Sequence, residues 1–576
     1  MDSNLTTAFQ IPPNQDHKGS DDKKIADKGI ITVNSSSMAT IQDDDERLLA
    51  RIGYKQEMRR EFSKWSTISY AISILGVLGS VPATFGQPLS AGGPATAVWC
   101  WLIGSVMAMC IGSSVAELVS AYPTAGGMYF VTKHVVPKDQ VPIFAWIQGW
   151  CNLLGQTAGV SSVAYTVSQM LLAAASMNSN LDDEGNYSFK PTALQTVLLS
   201  IALLCIMGII CSLTTKSLHR IILWFAPINI LASIGICIAL LVLTPNKQSA
   251  HWVFTNVTDG SGWHSKAFSF LLGFIAVAWT MTDYDGTTHM SEETHDAAVR
   301  GPVAIQTAVV VSGAFGWMLT VTMCFCITDL EAVLKSPTGL PAAQIFLDAG
   351  GKTGGTIMWS FAILVQFFTG CSAMLADTRM AYAFARDDAL PFSKVLAKVN
   401  PYTLTPVNAV WFVVFFSVCL NCIAIGSTET ASSIFSITAP CLDLSYIGVI
   451  LAHRLYKNKV KFIEGPFTLG SWGATINWIS ISWVLFISIV LFFPPIQPVT
   501  PQNMYETPTL FSGTGIEVDM EPRNYASVVV IFIALFALSW WWLSARRRYT
   551  GPRTKELLEE VPSEDFDTGP YGSFGA

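Results

Sequence analysis

The sequence predicts an all-α integral membrane protein with about twelve transmembrane helices, on three observations. Of the 576 residues, 51% are hydrophobic and only 13% are charged, against roughly 25% charged in ordinary soluble domains. The mean hydropathy is +0.43. The apolar residues also gather into runs of roughly 20 without Lys, Arg, Asp or Glu, the length at which a helix crosses a bilayer. The net charge of −7 arises mainly in the terminal segments. No concentrated basic face is present, which argues against nucleic-acid binding.

Residues 1–60 are polar and charged in blocks, as in Asp21–Lys24 and Gln42–Arg47, and carry no apolar core for a cleavable signal peptide. They read as a disordered cytosolic tail. A twelve-span transporter domain is expected over 61–548 and a second cytosolic tail over 549–576. The spans fall at about 67–88, 95–116, 142–173, 193–213, 219–243, 267–289, 303–327, 356–384, 406–426, 431–452, 474–496 and 526–545. The twelve cysteines lie in or beside these runs, where Cys behaves as a small hydrophobe. No disulfide is expected.

Basic residues set the orientation. The even-numbered loops carry Lys133, Lys138, Lys216, Arg220, Arg300, Arg386, Lys394, Lys398, Arg454, Lys457, Lys459 and Lys461, whereas the longer odd-numbered loops carry few. Both termini are therefore expected in the cytosol. The sequons at Asn186 and Asn256 fall in loops assigned outside and are expected glycosylation sites.

Within a bilayer, backbone that leaves the helical pattern must line a cavity, because lipid offers it no hydrogen bonds. Span 1 is interrupted by Gly76, Gly79 and Pro82, and span 6 by Asp283, Tyr284, Asp285 and Gly286. Paired broken helices at corresponding places in two halves point to a transporter site. The N-terminus of a half-helix suits a carboxylate, while free carbonyls and an aspartate suit an ammonium. Close helix packing at Gly76 and Gly79 explains span 1 equally well. The carboxylates of span 6 favour a functional break, since charge at that depth is costly.

The end of span 2 reads AEL-x3-YPTAGG over Ala116–Gly127, which resembles the amino acid–polyamine–organocation superfamily. Asp283–Glu293, Arg300–Ile305 and Ala381–Ser393 extend the resemblance to the fungal amino acid/choline permease branch, and most of all to its γ-aminobutyrate permeases. It covers roughly residues 60–550. The resemblance implies a five-plus-five inverted repeat with two further C-terminal spans. It also implies a non-enzymatic secondary permease that moves a small amine or amino acid with protons, by alternating access and without a cofactor. A choline carrier and a non-transporting nutrient receptor on the same scaffold are the alternatives.

The substrate is then expected at Gly76, Leu78, Gly79 and Ser80 of span 1 and at Trp279, Thr280, Met281, Asp283 and Tyr284 of span 6. Its carboxylate would dock on the N–H groups of Gly79–Ser80. Proton coupling falls to Asp443, a lone carboxylate inside span 10 whose alternative role is to satisfy a helix break near Pro440, and to Lys216, near where proton-coupled relatives carry a lysine in span 5; an ordinary positive-inside lysine is the alternative for the latter. Glu117, Asp285, Asp377 and Arg379 are expected to form an inner gate or packing ion pairs.

His289, Glu292, Glu293 and His295 superficially resemble a metal cluster, but their spacing is not HExxH and no metal is expected. The GKT at Gly351–Thr353 lacks the leading Gly of a phosphate-binding loop, because Phe346 stands there. The plasma membrane is the expected residence, with the vacuolar membrane as alternative. The oligomeric state is not legible.

Overall fold

In the computed structural model, the described residues are 45, 49, 54, 56–180, 187–426, 435–491, 493, 535, 538–543 and 545–552. Asn186 and most of span 12 lie outside them. Nine helices among the described residues are long and apolar enough to cross a membrane. They correspond to spans 1–5, 7–9 and 11. Span 6 is divided into short helices, and span 10 is the 18-residue helix Thr438–Leu455, which carries Asp443, His453 and Arg454. Residues 431–434, where the hydropathy pattern starts this span, lie outside the described residues. The fold is that of an all-α membrane protein. Large apolar side chains such as Leu231, Ile238, Val310, Phe415 and Ile489 are exposed on these helices, as surfaces that face lipid must be.

Span 1 consists of Lys64–Leu75 and Val77–Thr84, joined at Gly76. Ser63 and Ser66 form a capping box at its start. Gly76 adopts φ 40°, ψ 51°, a left-handed conformation natural to glycine. A Cβ there would also collide with the Thr369 hydroxyl of span 8. Sequence and packing thus both require glycine at this break.

Span 6 runs through Lys266–Leu272 and Phe274–Thr280, leaves the helix, and resumes at Gly286–His289. Asp283 sits at φ 60°, which Asp tolerates better than most residues. The long helices also bend at glycines. Gly86–Ala121 turns at Gly93 before Pro94, so that span 2 proper starts there, and Pro341–Arg386 turns at Gly351 before span 8 proper.

Span 7 packs along span 2, span 8 along span 3, and span 8 also along the second half of span 1. Both described ends of the chain reach the same end of the bundle. Tyr54 and Tyr129 donate to Asp387 at 3.1 and 3.0 Å, and Tyr129 meets the Tyr549 hydroxyl at 2.7 Å. An even number of crossings requires this arrangement. Tyr54, Met58 and Phe62, in a stretch read from the sequence largely as tail, are buried against the bundle. Asn256 belongs to the opposite end, since its carbonyl accepts from Ala95 at the start of span 2.

Candidate functional site

The breaks in spans 1 and 6 face a cavity of about 410 Å³ between spans 1, 3, 6, 8 and 10. It is lined by Ile74 and Ser80 of span 1; Gln156, Gly159, Ser162 and Val163 of span 3; and Trp279, Thr280, Thr282 and Asp283 of span 6. Thr369, Ala373, Thr438 and Leu442 complete the wall. Gln156 donates from Nε2 to Asp283 Oδ1, and Trp279 Nε1 donates to Ser162 Oγ at 3.3 Å. The hydroxyls of Thr280, Thr282 and Thr438 and the Oε1 of Gln156 have no hydrogen-bond partner among the described residues. Buried polar atoms are costly when unsatisfied. Four of them on one cavity wall, beside a carboxylate, suit a small polar ligand with a cationic group.

Of the residues expected to contact substrate, Ser80, Trp279, Thr280 and Asp283 line this cavity. Gly76 and Gly79 stand behind its wall, against Thr369 and Gln366 of span 8. Leu78 is fully buried and its N–H donates to Asn229 Oδ1 of span 5 at 3.3 Å. Met281 lines a second cavity of about 330 Å³ with Asp443, on the side of span 6 toward spans 2 and 11. Tyr284 turns to that side too, its hydroxyl 3.4 Å from Asp443 Oδ1. The expected carboxylate docking is corrected by the backbone: the N–H groups of Gly79 and Ser80 both donate to the Gly76 carbonyl at 2.9 Å. After its left-handed glycine the chain re-enters a helix at once, and those donors are spent.

The ionic residues are also redistributed. Lys216 is exposed in the amphipathic helix Thr215–Ile222, whose buried face is Thr215, Leu218 and Ile222. It lies outside the buried polar groups at the breaks. Asp377 accepts from Thr157 of span 3 at 2.9 Å, while Arg379 pairs with Glu293 at 2.8 Å; the two do not pair with each other. Glu117 accepts from the Leu469 N–H at 2.8 Å and approaches Arg454 at 3.9 Å. It fastens span 2 to the spans 10–11 connection, well away from the cavity. Asp285 accepts from Tyr446 and Asn152.

At the end that carries both termini, the segment after span 6 is clamped. Arg386 holds Glu292 through two bonds of 3.0 and 2.9 Å. Burial alone would raise the Glu292 carboxyl, but the Arg386 guanidinium outweighs it and holds it below the usual glutamate range. The Glu293 carbonyl accepts from the N–H groups of Glu61 and Phe62, and Arg60 donates to the Ser291 and Thr294 carbonyls. Of the four residues with a superficial metal-cluster look, Glu292 pairs with Arg386, Glu293 with Arg379, and His289 Nδ1 meets the Ala125 carbonyl. Sequence reading missed Gln156, Ser162, Thr282 and Thr438; only Gln156 and Ser162 share a helix, and no local pattern joins the other two to them.

The amino acid permease family model matches residues 62–514. The chain is 41% identical to an uncharacterized amino-acid permease of Schizosaccharomyces pombe, over 91% of this chain and 92% of that one. It is 33% identical to amino-acid permease 2 of Neurospora crassa, over 91% and 92%. A GABA-specific permease of Saccharomyces cerevisiae is 29% identical, over 91% of this chain and 89% of that one. These proteins are permeases rather than enzymes, and with them this chain belongs to the amino acid permease family.

Proposed function

We propose that the protein is a proton-coupled importer of small amino acids of the γ-aminobutyrate kind, working by alternating access between the breaks of spans 1 and 6. The carrying observation is the cavity with Asp283 at the span 6 break and partnerless hydroxyls around it. The substrate's ammonium donates to Asp283 and to Gln156 Oε1. Its carboxylate accepts from hydroxyls of the Thr280, Thr282 and Thr438 set, with Ser80 nearby. This replaces backbone N–H docking at the span 1 break with side-chain docking at the span 6 break and the start of span 10.

A choline reading draws less support. A quaternary ammonium wants an aromatic cage, and among the described residues Trp279 is the one aromatic residue on this wall; Tyr284 is engaged beside Asp443. The GABA-specific relative is consistent with the amino-acid reading.

Alternating access is supported by the clamp after span 6: the Glu292–Arg386 and Glu293–Arg379 pairs, with the Tyr54–Phe62 strap, are the parts of a closed inner gate. Lys/Arg asymmetry and the shared location of both chain ends support cytosolic termini. Asn256, at the other end, is the proposed glycan site among the described residues. We place the protein in the plasma membrane, with 61–548 as the transporter domain.

The test is an uptake panel in a transport-deficient cell, covering γ-aminobutyrate, choline, polyamines and neutral amino acids at two external pH values. Uptake of γ-aminobutyrate or a neutral amino acid that rises at acid pH is expected. Choline uptake alone would overturn the substrate class, and binding without uptake would favour a receptor.

A further inference from the structure

We propose that the C-terminal root of the chain latches the inner gate: Tyr549, acting through Tyr129 and Asp387, holds the end of span 8 where it keeps the Glu292–Arg386 clamp shut. The inference rests on the alternating-access reading above. Tyr54, Tyr129, Asp387 and Tyr549 come from four separate stretches of chain, and all four are buried.

A tyrosine hydroxyl has one hydrogen to give. Tyr129 gives its own to Asp387 Oδ2 at 3.0 Å. At the 2.7 Å contact between the two hydroxyls, Tyr549 is therefore the donor and Tyr129 the acceptor. Tyr54 donates to the same carboxyl group at 3.1 Å. Asp387 thus receives the N-terminal strap directly and the C-terminal root at one remove. Hydrogen bonds in such a chain polarise one another, so loss of the Tyr549 hydroxyl weakens the hold of Tyr129 on Asp387.

The relay and the clamp share both walls. Arg386, which holds Glu292, directly precedes Asp387, and its guanidinium lies 4.0 Å from the centre of the Tyr54 ring. Tyr382, one turn earlier, donates to Glu57 at 2.7 Å. On the other wall, Tyr129 belongs to the helix Gly127–Val135, which starts two residues after Ala125. The Ala125 N–H donates to Glu292 Oε1 at 3.1 Å. Neither wall can shift without moving both sets of bonds.

The C-terminal root is seated firmly enough to act as a latch. The Tyr549 ring packs edge-on against Trp146 of span 3 at 5.3 Å, and Trp541 lies 5.8 Å from the same indole. Gly551, at φ 97°, passes so close to the start of span 3 that a Cβ there would lie 2.9 Å from Val141 Cγ1. Lys133 then donates to the Pro552 carbonyl at 3.2 Å. Anything that draws this stretch away from span 3 loosens the gate through Tyr549.

The experiment uses the full chain in lipid nanodiscs, read by hydrogen exchange, and in proteoliposomes loaded with labelled γ-aminobutyrate, read by efflux. The exchange reporters are the N–H groups of Glu61 and Phe62, which donate to the Glu293 carbonyl, and that of His295, which donates to the Phe62 carbonyl. None of these bonds involves a residue of the relay. Tyr549→Phe removes the hydroxyl and keeps the ring; exchange at the reporters and efflux should each rise about two- to tenfold. Tyr129→Phe breaks the relay one step on, and adding Tyr549→Phe to it should change little more. Tyr402→Phe, at an exposed tyrosine, should match wild type. Unchanged reporter exchange in Tyr549→Phe, or additive effects in the double variant, would overturn the latch. Reporter exchange that rises without any gain in efflux would support the latch and overturn the inner-gate reading beneath it. Wild-type vesicles that release no γ-aminobutyrate would overturn the substrate reading, and exchange then decides the latch by itself. Should Tyr549→Phe fail to fold, unchanged reporter exchange in Tyr129→Phe would overturn the latch and raised exchange would support it.

Discussion

Gln156 of span 3 donates its side-chain amide to Asp283 Oδ1 at 2.6 Å, bridging the cavity exactly where span 6 loses its helix. One carboxyl group thereby serves two ends: it fixes the break to a neighbouring span and lines the cavity. The N–H of Gly286 closes the turn onto the Asp283 carbonyl at 3.0 Å.

Replacement of Asp283 by Asn separates these roles. Asn tolerates the left-handed backbone as Asp does, so the break should form. A charge-assisted bond contributes roughly 1.5–3 kcal/mol, one to two decades in affinity. Asp283→Asn should raise the apparent KM for amine substrates by that factor at near-normal surface abundance. A normal KM in well-expressed variant would remove Asp283 from amine recognition.

Gly79 is a packing position against span 8. A Cβ there would come within 2.6 Å of the Gln366 backbone nitrogen, which cannot swing aside as a flexible side-chain tip does. Gly79→Val should abolish uptake of every substrate. Gly235, with open space around its Cβ position, is the matched control, and Gly235→Val should transport normally. Equal uptake by both variants would refute the tight span 1–span 8 contact.

Lys216 is exposed, and exposed substitutions usually change stability by under about 0.5 kcal/mol. Lys216→Ala should leave pH-gradient-driven accumulation within roughly twofold of wild type. Loss of accumulation with normal surface abundance would return Lys216 to the coupling machinery.

Much of this was readable in the chain itself. Runs of apolar residues marked the spans, and Gly76 and Asp283 marked the breaks: glycine takes a left-handed turn freely, and a carboxylate at bilayer depth is costly. The cavity wall was less readable. Thr282, Thr438 and Gln156 read as ordinary polar residues of apolar segments until spans 3, 6 and 10 are brought together. The fate of the Gly79 and Ser80 N–H groups was not readable either, since it depends on how quickly the backbone recovers helical geometry after Gly76. The clamp joins residues hundreds of positions apart, as in Tyr54 to Asp387, and no local pattern announces such a pair.

The clamp has a pH signature. Glu292 lies in the connection after span 6 and its carboxyl is held below the ordinary range, mainly by Arg386 against the opposing effect of burial. A depressed carboxyl stabilises the fold fully above its unfolded value, about 4.3, and that contribution is lost as pH falls through the lower folded value. Breaking a buried pair costs about 3–5 kcal/mol. In detergent, Glu292→Gln should lower the thermal midpoint clearly at pH 7, and the gap to wild type should narrow as pH falls below about 4. A gap that widens on acidification would contradict the assignment.

The most direct test of proton-coupled amino-acid import is concentrative uptake of labelled γ-aminobutyrate by the purified protein in sodium-free proteoliposomes under an imposed inside-alkaline pH gradient. Accumulation above equilibrium that collapses on adding a protonophore is expected. Accumulation that requires sodium, or uptake that never exceeds equilibrium under the gradient, would contradict it.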